Sequence, residues 1–379
     1  MHSQAWIRAS VIRRLPWEVV ALAGLLVALG LVAIARAETL SGSSGRHLTR
    51  QVAWAVVCVL AMFAASLPNY RRLMRYSYLA LLASLVLLVA VFWFPEINGA
   101  RRWIRLGPVG LQPSEFAKLA SVVALARYLM YRESYRRLLG LCVPLALVMV
   151  PLLLVLKEPD LGTALVFLPV MFAMLFAAGA RKRHLALLVI IAMAMSPVVW
   201  SQMSREQKSR VTALAEQTGP GESPTDDGYH LHQAKLQLAL GGWSGSLLDA
   251  EAIDDFCFVP EPHTDSIAIV LGERFGIVGW IVMLSLFLIL AWRILAIAEH
   301  TREPFGRLVA VGIAALIGTQ VVINTAMFVG LLPITGLALP LLSYGGSSML
   351  ANALALGLVL NIAMRPGYEM TNEPFRFAD

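Results

Sequence analysis

Long uncharged apolar runs recur from residue 19 to residue 364, and they constrain this chain more than any other feature. An apolar run of about 20 residues spans the hydrocarbon core of a bilayer as a helix, because a helix satisfies every backbone N–H and C=O within the segment. Ten such runs fall near residues 19–35, 52–67, 77–94, 115–131, 138–156, 161–180, 185–203, 266–292, 308–332 and 343–364. Only 15% of the residues carry charge and the mean hydropathy is +0.70. Those values exclude a soluble globular enzyme, a secreted disulfide scaffold and a disordered chain. The expected fold is an all-α membrane protein of about ten transmembrane helices, forming a single polytopic domain over residues 1–379.

Ten spans place both termini on one side. The termini and connections of that side hold 18 Lys and Arg residues against 11 in the opposite connections. The positive-inside rule therefore predicts that both the N-terminus and the C-terminus are cytoplasmic. The net charge of +7 is spread in short clusters between apolar runs, with no basic patch interleaved with aromatics, so nucleic acid is not an expected partner. Cys58, Cys142 and Cys257 lie far apart without CxxC spacing, which indicates neither a disulfide framework nor a thiolate metal site. His230, His232 and His263 lack regular ligand spacing, and no residue is assigned to a metal.

One connection, from about residue 202 to 264 between the seventh and eighth spans, is far longer than the rest and falls on the outer side. With Asp265 it holds 11 of the 24 acidic residues. Pro220, Gly221, Pro224 and Gly228 read as turns, and Gln233 to Leu240 reads as an amphipathic helix at the outer leaflet.

Ionisable groups at membrane depth cost about 2.5–3.5 kcal/mol each on insertion scales, so each needs a partner or a task. Glu115 and Lys118, at i and i+3 in Gln112-Pro113-Ser114-Glu115-Phe116-Ala117-Lys118, open the fourth span and share one helix face. They suit either a local ion pair or a polar cavity for an anionic headgroup. Arg101, Arg102 and Arg105, spaced by Trp103 and Ile104, put three cations on the outer side, suited to phosphate oxygens of lipids or of a polyprenyl pyrophosphate. Asp160, in Lys157-Glu158-Pro159-Asp160-Leu161-Gly162-Thr163, stands where it would cap the sixth span. At the mouth of the eighth span, alternation in an extended segment would turn Glu261, His263 and Asp265 to one side. Asp265 is the sharpest candidate for a general base, with N-capping as its structural alternative. Glu273 and Arg274 read as a packing ion pair. Asn324 lies within the ninth span, and the Gly-, Pro- and Ser-rich stretch through Ser343 and Ser347 suits an irregular segment lining a cavity.

These residues together resemble the SEDS family, the RodA and FtsW type. The resemblance rests on Gly99-Ala100-Arg101-Arg102-Trp103-Ile104 with the Gln112–Lys118 segment, on Lys157–Thr163, on Pro260-Glu261-Pro262-His263-Thr264-Asp265, and on Pro340-Leu341-Leu342-Ser343-Tyr344-Gly345-Gly346-Ser347-Ser348. Four motifs in the family's order cover nearly the whole chain. The resemblance implies a peptidoglycan glycosyltransferase of the bacterial inner membrane that polymerises lipid II beside a class B penicillin-binding protein and other elongasome or divisome proteins. It maps the essential catalytic carboxylate onto Asp265, the Glu-x-x-Lys pair onto Glu115 and Lys118, and the arginine-tryptophan element onto Arg102 and Trp103; with Arg101, Asp160, His263, Ser343 and Ser347 these make the expected substrate-binding surface. No cofactor is required for certain, although a divalent cation, Mg or Mn, would suit a pyrophosphate leaving group. The chain departs from the family at Gly272-Glu273, where a Glu-Glu pair is usual, and in the glycine-poorer Gly241-Gly242-Trp243-Ser244-Gly245. A lipid II flippase using the same polar cavity is the rival reading, and a scaffold that only recruits the penicillin-binding protein is a third.

Overall fold

Each of the ten apolar runs lies in a helix of the computed structural model, which describes residues 15–40, 45–97, 100–107, 109–131, 138–215, 227–245 and 262–365. These helices are α1 (Trp17–Leu40), α2 (Arg46–Ser66), α3 (Tyr70–Ala90), α4 (Pro113–Tyr131), α5 (Cys142–Lys157), α6 (Leu161–Ala177) and α7 (Lys182–Gln202). After the long connection come α10 (Ile267–His300), α11 (Pro304–Val329) and α12 (Gly346–Met364). Local signals set several ends. Asn69 accepts the Arg71 N–H at the start of α3, Pro304 opens α11, and Gly330 closes it in the left-handed conformation.

Seven of these helices, α1, α2, α3, α5, α10, α11 and α12, counted with their 3₁₀ extensions, are long and apolar enough to cross a membrane. The 17-residue α6 is a shorter apolar helix. Burial is arranged as a bilayer requires. Leu60, Leu79, Trp93 and Leu288 are exposed on the outside of the bundle, while Glu38, Gln51, Glu115, Lys118, Asp160, Gln320 and Asn324 are buried within it. In water that distribution would be penalised twice, by exposed apolar area and by buried polar groups. The chain is therefore an all-α, multi-pass membrane protein.

Three features depart from simple span-and-loop organisation. Ile104–Leu106 (β1) and Val109–Leu111 (β2) form an antiparallel hairpin before α4, with Arg105 opposite Gly110. Strands of three residues are too short to show an alternating pattern, so sequence alone does not reveal them. Residues 331–345 run as irregular backbone between α11 and α12, as the Gly/Pro/Ser content predicts, with Thr335, Leu337, Leu339, Leu342 and Ser343 buried.

The long connection contributes α8 (Arg205–Ala215) and α9 (Asp227–Gly241). The predicted amphipathic segment does form a helix, α9, but Leu231, Ala234 and Gln237 are buried and its C-terminal end packs on α10. The seat for it is a kink at Gly276, whose φ of 62° and ψ of −158° are open essentially to glycine alone. The Gly242 carbonyl accepts the Ile277 N–H at 2.9 Å and the Trp243 carbonyl accepts the Val278 N–H at 3.4 Å. A Cβ on Gly241 would fall 2.0 Å from the Gly272 carbonyl oxygen, and one on Gly272 would fall 2.5 Å from Leu238. Any side chain at position 272 would have to displace Leu238 and Trp280 beneath α9. Substituting Gly276 by Ala is expected to cost about 1–3 kcal/mol from backbone strain alone. It also forces the added methyl against the Trp243 carbonyl, so protease sensitivity of the long connection should rise while the spans stay intact.

Candidate active site

The helix ends and turns that carry the sequence motifs meet at one end of the bundle, the end that the charge count assigns to the outer side. Asp265 sits in a turn over residues 262–266 and is partly exposed. The extended segment expected there is replaced by this turn, because the chain must reverse into α10, and Glu261 lies outside the described residues. Ser266 takes the N-cap position of α10 without a side-chain cap bond, and Asp265 stands immediately before it. The Thr264 hydroxyl donates to Asp265 Oδ1 at 3.0 Å. Asn324 of α11 donates through Nδ2 to the Asp265 carbonyl at 3.0 Å and to the Leu337 carbonyl at 2.6 Å. The backbone of Asp265 is thus tied to the irregular segment 331–345. Gly336, with φ 68°, passes close enough that a Cβ there would lie 3.7 Å from Asp265 Oδ2.

The other motifs are linked to this point by hydrogen bonds. Asp160 accepts the Thr163 N–H at 3.1 Å, capping α6 as expected, while its Oδ2 accepts Gln112 Nε2 at 3.3 Å. Gly162 packs on Thr335, next to Gly336, so closely that a Cβ would lie 2.7 Å from the Thr335 carbonyl oxygen. The Ser347 hydroxyl accepts the Gln112 N–H at 3.1 Å and donates to the Gly110 carbonyl at 2.7 Å, stapling the hairpin to the start of α12. Ser343 Oγ accepts the Leu339 N–H at 2.9 Å, so this hydroxyl shapes the irregular segment. His263 gives its carbonyl to the Tyr344 N–H at 2.9 Å.

The cations differ in what holds them. Lys118 and Glu115 form the buried i,i+3 ion pair that their spacing predicts, at 2.7 Å. Arg101 pairs with Glu96 at 3.1 Å and donates to the Phe92 carbonyl. Arg102 donates to the backbone carbonyls of Glu158, at 3.0 Å, and Pro159. Carbonyls orient a guanidinium without cancelling its charge, so among these three Arg102 is the one best suited to an anion. Trp103 lies over Gly110, whose added Cβ would come within 3.2 Å of the ring, and it braces the hairpin that carries the arginines.

Other polar groups at this end are not prominent in sequence. Glu273 does not pair with its neighbour Arg274. It is fully buried and receives Arg36 of α1 through Nη2 at 2.8 Å and Nε at 3.3 Å. Gln51 of α2 donates to the Ser343 carbonyl at 3.1 Å and accepts the Gly345 N–H at 3.3 Å. The signal for both was an ionisable or amide side chain beside an apolar run, which demands a partner without naming one.

Glu158, in the turn between α5 and α6, is fully buried and neither carboxyl oxygen has a hydrogen-bond partner. Burial chiefly, with the Asp160 carboxylate, pushes its pKa up to about 9 against the opposing pull of Arg102. The folded chain therefore holds one more proton than the unfolded chain between the ordinary value of 4.5 and about 9. Its contribution is fully retained below that window and is lost as pH rises through it. Glu158→Gln should leave thermal stability unchanged near pH 4.5 and raise it progressively over wild type toward pH 9, flattening the pH profile.

An apolar groove of about 680 Å³ lies among α3, α4 and α12, running from Arg72 and Tyr76 to Leu111 and Phe116 beside Gln112. Its dimensions and lining suit a hydrocarbon chain.

Fold and site together define a polytopic α-helical membrane protein with a polar, carboxylate-bearing mouth at one end of its bundle. Residues 16–367 match the family model described as cell cycle protein, of the FtsW, RodA and SpoVE type, and the chain belongs to that family. It is 35% identical over 365 residues to the probable peptidoglycan glycosyltransferase FtsW of Geobacter metallireducens, covering 93% of this chain and 96% of that one. It is 36% identical to the stage V sporulation protein E of Bacillus subtilis, covering 84% and 87%. Among solved structures, a chain from "Structural coordination of polymerization and crosslinking by a peptidoglycan synthase complex" superposes with a TM-score of 0.79 at 33% identity, covering 92% of this chain and 97% of that one. The rod shape determining protein RodA of Thermus thermophilus superposes with a TM-score of 0.69 at 32% identity, covering 92% and 96%.

Proposed function

We propose that this peptidoglycan glycosyltransferase polymerises lipid II at the outer face of the bacterial inner membrane, with Asp265 as general base. The observation that carries the reading is the convergence on the Asp265 turn. Segments around residues 112, 160, 336 and 347 are held to one another and to that turn by the contacts described above. Asp265 takes the proton from the attacking sugar hydroxyl as that oxygen bonds to the donor's anomeric carbon and the bond to undecaprenyl pyrophosphate breaks. A single displacement inverts the anomeric configuration. Arg102, together with Arg101 and Lys118, stabilises the charge that develops on the leaving pyrophosphate. The apolar groove beside Gln112 suits the polyprenyl chain.

Among the described residues no group of three or more His, Cys, Asp or Glu is placed to hold a metal ion. A class B penicillin-binding protein is the proposed partner, in keeping with the synthase-complex neighbour, and elongasome or divisome proteins would surround the pair. The test is to supply purified lipid II to the purified protein with that partner. Glycan strands and free undecaprenyl pyrophosphate, formed in the presence of an inhibitor of class A transglycosylases, support the reading. Translocation of lipid II across vesicles without any glycan product would overturn it in favour of a flippase.

A further inference from the structure

The first turn of α2 is built against the Asp265 loop in a way that the chemistry above does not use. Gly45, at the N-cap position of α2, supplies no side chain to the first amides of that helix. Glu38, near the end of α1 and buried, does so instead: its Oε1 accepts the His47 N–H at 2.7 Å and the Leu48 N–H at 3.3 Å. The same oxygen lies 3.5 Å from His47 Nδ1 without hydrogen-bonding it, so this carboxylate fixes the His47 backbone and leaves the ring to be held by its aromatic neighbours. That ring stacks on His263, with centroids 4.5 Å apart and planes 21° apart. Tyr344 meets the His47 ring edge-on at 5.1 Å and 88°. Tyr344 in turn takes the His263 carbonyl on its own N–H. His263 is therefore gripped from its ring by α2 and from its backbone by the irregular segment, two residues before Asp265.

We propose that Glu38 and His47 form a positioning pair for Asp265: Glu38 orients His47, and the His47 ring holds His263 so that the turn presents the Asp265 carboxylate to the acceptor hydroxyl. This rests on the assignment of Asp265 as the base. His47 touches no reacting atom in this scheme and acts through His263 alone.

The experiment measures lipid II polymerisation by the full chain with its penicillin-binding partner, reading kcat and KM separately, beside thermal unfolding of each variant. His47→Ala is expected to lower kcat by about 10- to 100-fold, the scale of a small misplacement of a reacting group. KM for lipid II and the unfolding temperature should stay close to wild type. His47→Phe, which keeps an aromatic ring on His263, should recover most of the loss, and His47→Gln should not. In a cycle with His263→Ala, the loss from His47→Ala should vanish once His263 is absent, because the two act as one unit.

Additive losses, or an unchanged kcat in His47→Ala, overturn the positioning pair. If His47→Ala does not fold, the contrast between His47→Phe and His47→Gln decides, and equal kcat values in those two variants overturn it. Asp265→Asn runs in parallel. Full activity in that variant overturns the base assignment and the positioning pair with it, whereas an inactive Asp265→Asn beside a fully active His47→Ala overturns the positioning pair alone.

Discussion

Replacing Asp265 with Asn should lower lipid II polymerisation by about 10²–10⁴, the loss expected when a general base is removed. The substitution keeps the volume of the side chain, and an amide can still accept the Thr264 hydroxyl that now bonds Oδ1. The tie from Asn324 goes to the Asp265 backbone and does not depend on the side chain. Expression, thermal unfolding and binding of lipid II should therefore stay near wild type while glycan product disappears from gels. Asp265→Glu should recover little. The extra methylene moves its carboxylate away from the position set by the turn and by the Thr264 hydroxyl, and a misplaced reacting group loses rate steeply. Equal product from wild type and Asp265→Asn would move the search for the base to Asp160, the other carboxylate in the linked set.

Arg36→Ala should be the most destabilising of the substitutions considered. Arg36 reaches Glu273 with two nitrogens, and Glu273 is wholly buried on the first stretch of α10, between the Asp265 turn and the Gly276 kink. Removing one member of a buried ion pair typically costs about 3–5 kcal/mol. Replacing both members with apolar residues of similar volume, as in Arg36→Met with Glu273→Leu, should recover most of that loss. Thermal unfolding in detergent distinguishes the three proteins. Intact stability in Arg36→Ala would show that the pair contributes nothing to holding α1 on α10.

The spans were legible because length and apolarity suffice to locate a membrane helix, and the Glu115–Lys118 pair and the Asp160 cap were legible because both are local. What sequence could not supply was partnership across the bundle. Arg274 is adjacent to Glu273, yet the partner is Arg36, 237 positions away. Proximity along the chain favours the neighbour, but successive residues on a helix point about 100° apart, so it cannot serve the same face. Ser343 and Ser347 stood out as hydroxyls in a glycine-rich stretch, and both satisfy backbone groups of irregular or hairpin segments. Gln51 and Glu38 belong to none of the motifs, and only the fold reveals that they brace the site.

The seat of α9 on the kink of α10 makes the long connection inseparable from the membrane core. Ile277 and Val278 would lose their acceptors if residues 241–245 were removed, and two unsatisfied amides would be left on a helix where lipid offers nothing in exchange. The loop is accordingly not an exchangeable cassette. A chimera that imports another relative's connection should assemble only when it brings its own footing as well, Gly272 through Gly276 together with Gly241 and Gly245. A graft cut at residues 203 and 264 would join two halves shaped for different partners.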